Sequence, residues 1–88
     1  MLDFPLVSAV ICTFRRPDVV KNAIRSVQNQ TYPNIEIIVV DDASPDRTKE
    51  SVEEIGNGRI RYLRHEQNQG PSAGRNTGID AANGEYIA

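Results

Sequence analysis

A single cysteine, Cys12, stands in this chain, with no tryptophan beside it. One thiol excludes an intrachain disulfide and a cysteine-based zinc cluster. Its place in the apolar run Val10-Ile11-Cys12 gives the expectation of a buried, inert side chain. No hydrophobic run reaches membrane-spanning length. Met1-Leu2-Asp3-Phe4-Pro5 lacks a basic region followed by an apolar stretch, so no signal peptide is visible. The expected address is cytoplasmic, with the inner face of a membrane the other address for a longer protein. Asn29-Gln30-Thr31 spells a glycosylation sequon, but without an export signal it is read as chance. An excess of positive charge is lacking too: a net charge of −2 and a pI near 5.3 leave no broad surface for nucleic acid or anionic lipid. Any phosphate binding must therefore be local. Two familiar phosphate motifs are missing as well. No Gly-x-x-x-x-Gly-Lys-Ser/Thr occurs, and Gly56-Asn57-Gly58 precedes a predicted strand instead of following one. His65 has no cysteine or second histidine to share a metal, and a lone histidine in a polar link reads as a surface residue.

What is present describes one small globular unit: 39% hydrophobic and 25% charged residues over 88 positions. A chain of this size buries only about 60 to 65% of its unfolded surface, so the core is modest. Valine and isoleucine far outnumber leucine, which favours a core centred on a sheet. The stretch Ile35-Glu36-Ile37-Ile38-Val39-Val40-Asp41-Asp42-Ala43-Ser44-Pro45 organises the rest. It is a β-branched run of the kind buried on both faces, and it gives way abruptly to two carboxylates. Ser44 then reads as a helix N-cap with Pro45 at the first helical position, which puts the acids in the turn between strand and helix.

Leu6 to Thr13 is a second short apolar run, expected as a strand that Phe14-Arg15-Arg16-Pro17 ends. Val19, Val20, Ala23, Ile24 and Val27 recur at helical spacing after Pro17, leaving Lys21, Asn22 and Arg25 for the wet face. A second helix is expected from Pro45 to Ile55, stopped by Gly56. Arg59 to Arg64 reads as an edge strand rimmed by arginines, Gly70 to Ala82 as a helix rich in small residues, and Glu85 to Ala88 as the start of a fourth strand. Strands and helices alternating in this way imply an α/β architecture, a doubly wound and mostly parallel sheet with flanking helices. A chain that stops inside an apolar strand is expected to be a piece of something longer.

Three constellations could carry chemistry. Asp41 and Asp42 repel phosphate, so they suit a base N–H, a sugar hydroxyl or a metal; the bland reading is one capping carboxylate and one solvated one. Their place after a buried strand favours function, because sites collect at that end of α/β sheets. Thr13-Phe14-Arg15-Arg16, in the neighbouring turn, offers an aromatic face for a base beside guanidinium groups for phosphate, against the alternative of edge packing. Gly70, Gly74 and Gly78 lie four apart, at a cost near ~1 kcal/mol each relative to alanine. Close packing is the commoner reason; backbone N–H groups near Gly70 and Ser72 facing an anion is the functional one, with Arg75 within reach of a diphosphate.

Taken together, Val7 to Arg16, Ser26 to Pro33, Ile35 to Asp46, Asn68-Gln69-Gly70 and Gly74-Arg75-Asn76-Thr77-Gly78-Ile79 resemble, in order and spacing, the opening half of a family 2 glycosyltransferase of the GT-A fold. The resemblance covers essentially the whole chain, residues 1–88, as the Rossmann-like, nucleotide-sugar-binding half. It implies that Thr13, Phe14 and Arg15 lie against a nucleotide-diphosphate sugar, that Asp42 accepts from the base (the N3–H of uracil for a UDP-sugar), that Asp41 supports the turn, and that Arg75 lies near the base or diphosphate. Arg15 stands where the family often has Asn and Gly74 where it often has Ala. The family's Asp-x-Asp motif, which binds manganese or magnesium with the diphosphate, normally follows a strand like Glu85-Tyr86-Ile87, beyond Ala88. The resemblance thus implies an inverting transferase whose catalytic base, metal ligands and acceptor site fall outside these residues, with the 88 residues inactive alone. An unfinished sheet edge is a template for association, so self-association is expected as well. Two competing readings are a receiver-like domain, which would want carboxylates where Phe14-Arg15 stand, and a non-catalytic small α/β nucleotide-binding or assembly module.

Overall fold

A computed structural model describes residues 4–14, 17–44, 48–56, 60–84 and 86–87. The elements are β1 (Val7–Thr13), α1 (Pro17–Gln28), β2 (Ile35–Asp41), α2 (Thr48–Gly56), β3 (Ile60–Arg64), α3 (Pro71–Ala81) and β4 (Tyr86–Ile87). They form a four-stranded sheet in the order β3-β2-β1-β4, every pairing parallel. The α/β alternation expected from the sequence is what forms. Residues 45–47 and 57–59 lie outside the described residues, so the expected N-terminal proline of the second helix and part of its stop signal do too.

β2 lies inside the sheet, between β1 and β3, and suits burial on both faces: Ile37, Ile38, Val39 and Val40 are all buried. Its odd-numbered residues face one helical layer. Ile37 and Val39 pack with Val20 and Ile24 of α1 and Val52 of α2, and Ile11, Ile35, Ile60 and Tyr62 complete the cluster. The helical spacing of Val20, Ile24 and Val27 thus delivers α1 to the sheet. The other face carries α3, which crowds β1 through glycine: a Cβ on Gly74 would lie 3.3 Å from the Cys12 sulfur, and one on Gly78 would lie 2.2 Å from a Val10 methyl. The small-residue spacing of α3 therefore serves close packing.

A clasp at the other end of the sheet ties down the α3–β4 connection. Glu36 accepts from the Asn83 amide at 2.6 Å and the Ser8 hydroxyl at 2.5 Å, and Arg61 bonds both Glu36 at 3.4 Å and the Ala81 carbonyl at 2.6 Å. Ser8, fully buried, also accepts from the Gly84 amide at 2.9 Å. β4 itself pairs with β1 over only Val7↔Tyr86 and Ser8↔Ile87. The upper part of β1 thus has no strand beside it on that flank among the described residues.

This topology creates a crevice. The chain runs outward from β1 through β2 to β3 and then returns across the opposite face to β4, so β1 and β4 meet where the winding direction reverses. Ligands of open α/β sheets bind beyond the carboxyl ends of the strands at such a point.

Candidate functional site

A pocket of about 400 Å³ lies around the carboxyl end of β1, between α1 and the start of α3. Thr13, Phe14 and Asp42 line it together with Asn68, Gly70 and Pro71, while Val19, Val20 and Ala23 of α1 supply an apolar wall. Phe14, at 37% exposure, offers part of its ring to the opening. Thr13, Phe14 and Asp42, three of the nucleotide-binding residues that the resemblance implies, therefore share one crevice.

The two acids behave differently because consecutive residues at the end of a strand point to opposite faces. Asp41, 1% exposed, turns toward the α1–α2 layer. One of its carboxylate oxygens accepts from the Ser44 amide at 2.9 Å and the other from the Tyr62 hydroxyl. Burial, and then the Asp41 carboxylate, raise the Tyr62 phenol far above its ordinary pKa. Asp41 does not line the pocket; it braces the turn beneath it. Ser44, expected as a helix cap, joins this brace through its backbone: its amide donates to Asp41 and its carbonyl accepts from Arg64 at 3.1 Å. Ala43 between them adopts a positive φ of 66°.

Asp42 turns the other way, toward α3, and is held from two segments. Its Oδ1 accepts from the Gln69 amide and from Nδ1 of His65, and its Oδ2 from the Gly70 amide, each at 2.8 Å. The Gln69 amide foremost, with the His65 ring and the Gly70 amide, holds the Asp42 carboxyl below its ordinary pKa against the opposing effect of burial. The Gly70 amide, which could have faced an external anion, thus serves an internal one. Gly70 reaches this geometry with φ at 94°, a conformation suited to glycine.

Two expectations are corrected here. His65 is buried, not a surface histidine: it follows β3 directly, its amide donates to the Asp41 carbonyl at 2.9 Å, and its ring bridges Asp42 and Thr77. Position held the signal, since the residue after β3 must arrive at the same sheet end as the residue after β2. Cys12, expected buried, is exposed: β4 pairs with β1 only at Val7 and Ser8 and stops short of it. Its sulfur faces α3; burial of that end raises the thiol pKa, and Arg75 opposes the shift.

Arg75 is exposed and lies in a neighbouring cleft of about 360 Å³ with Val10, Cys12, Ile79 and Ile87, outside the Asp42 pocket. Cys12 borders both spaces. Arg15 lies outside the described residues. No group of three or more histidine, cysteine or acidic side chains capable of holding a metal occurs among the described residues. Asp41 and Asp42 are occupied by protein donors, and the divalent ion that the resemblance implies is expected on the Asp-x-Asp motif beyond Ala88. No helix is long and apolar enough to cross a membrane among the described residues.

The profile of the family described as Glycosyl transferase family 2 matches residues 8–88. Among characterised proteins, the chain is 41% identical over 86 residues to the GalNAc(5)-diNAcBac-PP-undecaprenol beta-1,3-glucosyltransferase of Campylobacter jejuni, covering 94% of this chain and 28% of that protein. Among solved structures it superposes on S. aureus TarS 1-349 in complex with UDP with a TM-score of 0.86 and 29% identity, over 93% of this chain and 25% of that one. It also superposes on the mannosyltransferase PcManGT of Pyrobaculum calidifontis, solved with GDP-Man and Mn2+, with a TM-score of 0.88 and 23% identity, over 97% of this chain and 26% of that one. The fold is therefore that of the GT-A glycosyltransferases. The chain spans about a quarter of the length of each of these relatives.

Proposed function

The chain belongs to glycosyl transferase family 2, and from that premise we propose that it forms the nucleotide-binding half of an enzyme that moves a sugar from a nucleoside-diphosphate donor to a hydroxyl acceptor. The observation that carries this reading is the meeting of Asp42, Thr13 and Phe14 in one pocket at the carboxyl end of β1. A nucleobase entering there meets an aromatic ring for stacking, an apolar wall and an ionised acceptor. With three donors already on the Asp42 carboxylate, one lone-pair position of Oδ2 remains for a ring N–H. Uracil and guanine present such a donor, whereas the ring nitrogens at the equivalent edges of cytosine and adenine accept.

A UDP-sugar is the donor we favour, supported by the likeness to the UDP complex of TarS. A hydroxyl on a lipid-linked saccharide is the acceptor class suggested by the Campylobacter relative. Transfer with inversion follows the family resemblance, a later carboxylate taking the acceptor's proton. A divalent ion would stabilise the departing diphosphate. Its ligands are expected beyond Ala88, and the part we assign to these residues is to bind and orient the nucleoside end. Since the chain spans about a quarter of its relatives, these 88 residues are expected to bind nucleotide and transfer no sugar.

Calorimetric titration with UDP, GDP and ADP, with and without manganese, tests the reading. UDP should bind measurably better than ADP, and Asp42→Ala should weaken UDP by tenfold or more while erasing the preference between bases. Equal affinity for all three nucleotides, or none for any of them, would favour a bare α/β module instead.

A further inference from the structure

The bridge made by His65 has no counterpart in the binding scheme above. Resting on the nucleotide-site reading, we propose that His65 is a positioning residue for that site: it fixes the orientation of the Asp42 carboxylate and locks the end of β2 to α3.

The carboxylate assigns one proton. Nδ1 lies 2.8 Å from Oδ1 of Asp42, and an ionised carboxylate only accepts, so Nδ1 is the donor of that contact. Nε2 lies 2.8 Å from the hydroxyl oxygen of Thr77 on α3, which also reaches the Ala73 carbonyl at 3.0 Å. The ring thus joins Asp42 to α3 from a position only 9% exposed.

Its effect on Asp42 is geometric. The other two donors to that carboxylate, the Gln69 and Gly70 amides, come from adjacent peptides of one segment, whereas His65 approaches from the end of β3. Two donors on Oδ1 and one on Oδ2 set the plane of the carboxylate and leave the open lone pair on Oδ2. Without the ring, Oδ1 keeps a single donor, and the carboxylate can turn about its Cβ–Cγ bond away from the incoming base. A hydrogen bond to a base loses strength steeply with such misalignment.

Two isosteres separate the contacts. In His65→Asn the side-chain amide nitrogen sits where Nδ1 was and can still donate to Asp42; in His65→Gln it sits where Nε2 was and reaches only Thr77. By titration of the purified protein with UDP, His65→Asn should bind within about threefold of the unchanged protein and His65→Gln about tenfold more weakly. Thermal melts of both variants check that they remain folded. In the unchanged protein, nitrogen-15 NMR of the ring should show Nδ1 protonated and its resonance moving when UDP is added.

If Asp42→Ala loses UDP but His65→Gln does not, or if the two isosteres lose equally, the positioning role is wrong while the nucleotide site stands. An Nδ1 without its proton, or an Nδ1 signal indifferent to UDP, also overturns it. If Asp42→Ala binds UDP as the unchanged protein does, the nucleotide reading itself fails and takes this proposal with it.

Discussion

At the scale of single residues, adjacent aspartates divide the work. Asp41 is buried and braces the turn, and Asp42 lines the pocket. The pair of acids was legible in the sequence, but their division was not, because it depends on the strand's pleat at its last residue and on which donors lie above and below. His65 escaped for a related reason: its place after β3 sends it to this end of the sheet, but its partners Asp42 and Thr77 are brought to it only by parallel pairing of β2 with β3 and by the crossing of α3. Between the acids and Ser44, Ala43 holds a left-handed conformation. That geometry costs an L-residue roughly 1–2 kcal/mol, and glycine would give back roughly 0.4–1 kcal/mol through its freer unfolded chain. Ala43→Gly should therefore stabilise the fold by roughly 0.5 kcal/mol in urea unfolding. A destabilisation would show that the alanine methyl has a packing role that outweighs the strain.

At the scale of elements, the decisive contact is α3 against β1. Gly74 and Gly78 look alike in the sequence, yet the structure gives them different tolerances. A methyl at position 74 would lie 3.3 Å from the Cys12 sulfur, at the end of a side chain that can yield. Here the roughly 1 kcal/mol helix-propensity gain of alanine should win, leaving Gly74→Ala neutral or slightly stabilising. A methyl at 78 would meet Val10 Cγ1 at 2.2 Å with Cγ2 and Cβ also within 3.3 Å, so rotating the valine only exchanges one clash for another. Overpacking of this kind costs about 1–3 kcal/mol, and Gly78→Ala should destabilise by about that much, with Val10→Ala restoring part of the loss. Thermal melts of the four proteins decide it; equal effects at both positions would contradict the packing account. The glycine spacing thus announced a close approach from sequence alone. Which glycine carried it was set by the register of α3 on β1, which no local pattern records. The strands and helices themselves were legible because periodicity and burial agreed: the continuous run of β2 and the helical spacing of α1 admit few other folds.

At the scale of the whole molecule, two carboxylates far apart on the sheet tie separate segments together, and both are held below their ordinary pKa. For Asp42 the cause is first the Gln69 amide and then His65. For Glu36, burial opposes the charge, but Ser8, the Asn83 amide and Arg61 outweigh it. In the unfolded chain these groups titrate near about 3.9 and 4.3, so their contribution to stability is intact above that range and drains as pH falls through it toward the lower native values. Tm should accordingly drop between pH 5 and pH 3, and Glu36→Gln should flatten the drop; identical acid slopes in the two proteins would contradict this. The flank of β1 above its short pairing with β4 leaves backbone groups without a strand partner among the described residues, and such an edge templates association. Light scattering should show the apparent mass rising with concentration, and a constant monomeric mass up to millimolar protein would rule that out. Glu36 has a last consequence. The ribbon Tyr86–Ile87 reaches the sheet through a connection that this one anion moors, so neutralising Glu36 converts a docked end into a fraying one. The amide of Gly84 would then trade its hydrogen with solvent long before those of Ile37 to Val40, and the molecule would open from that corner first.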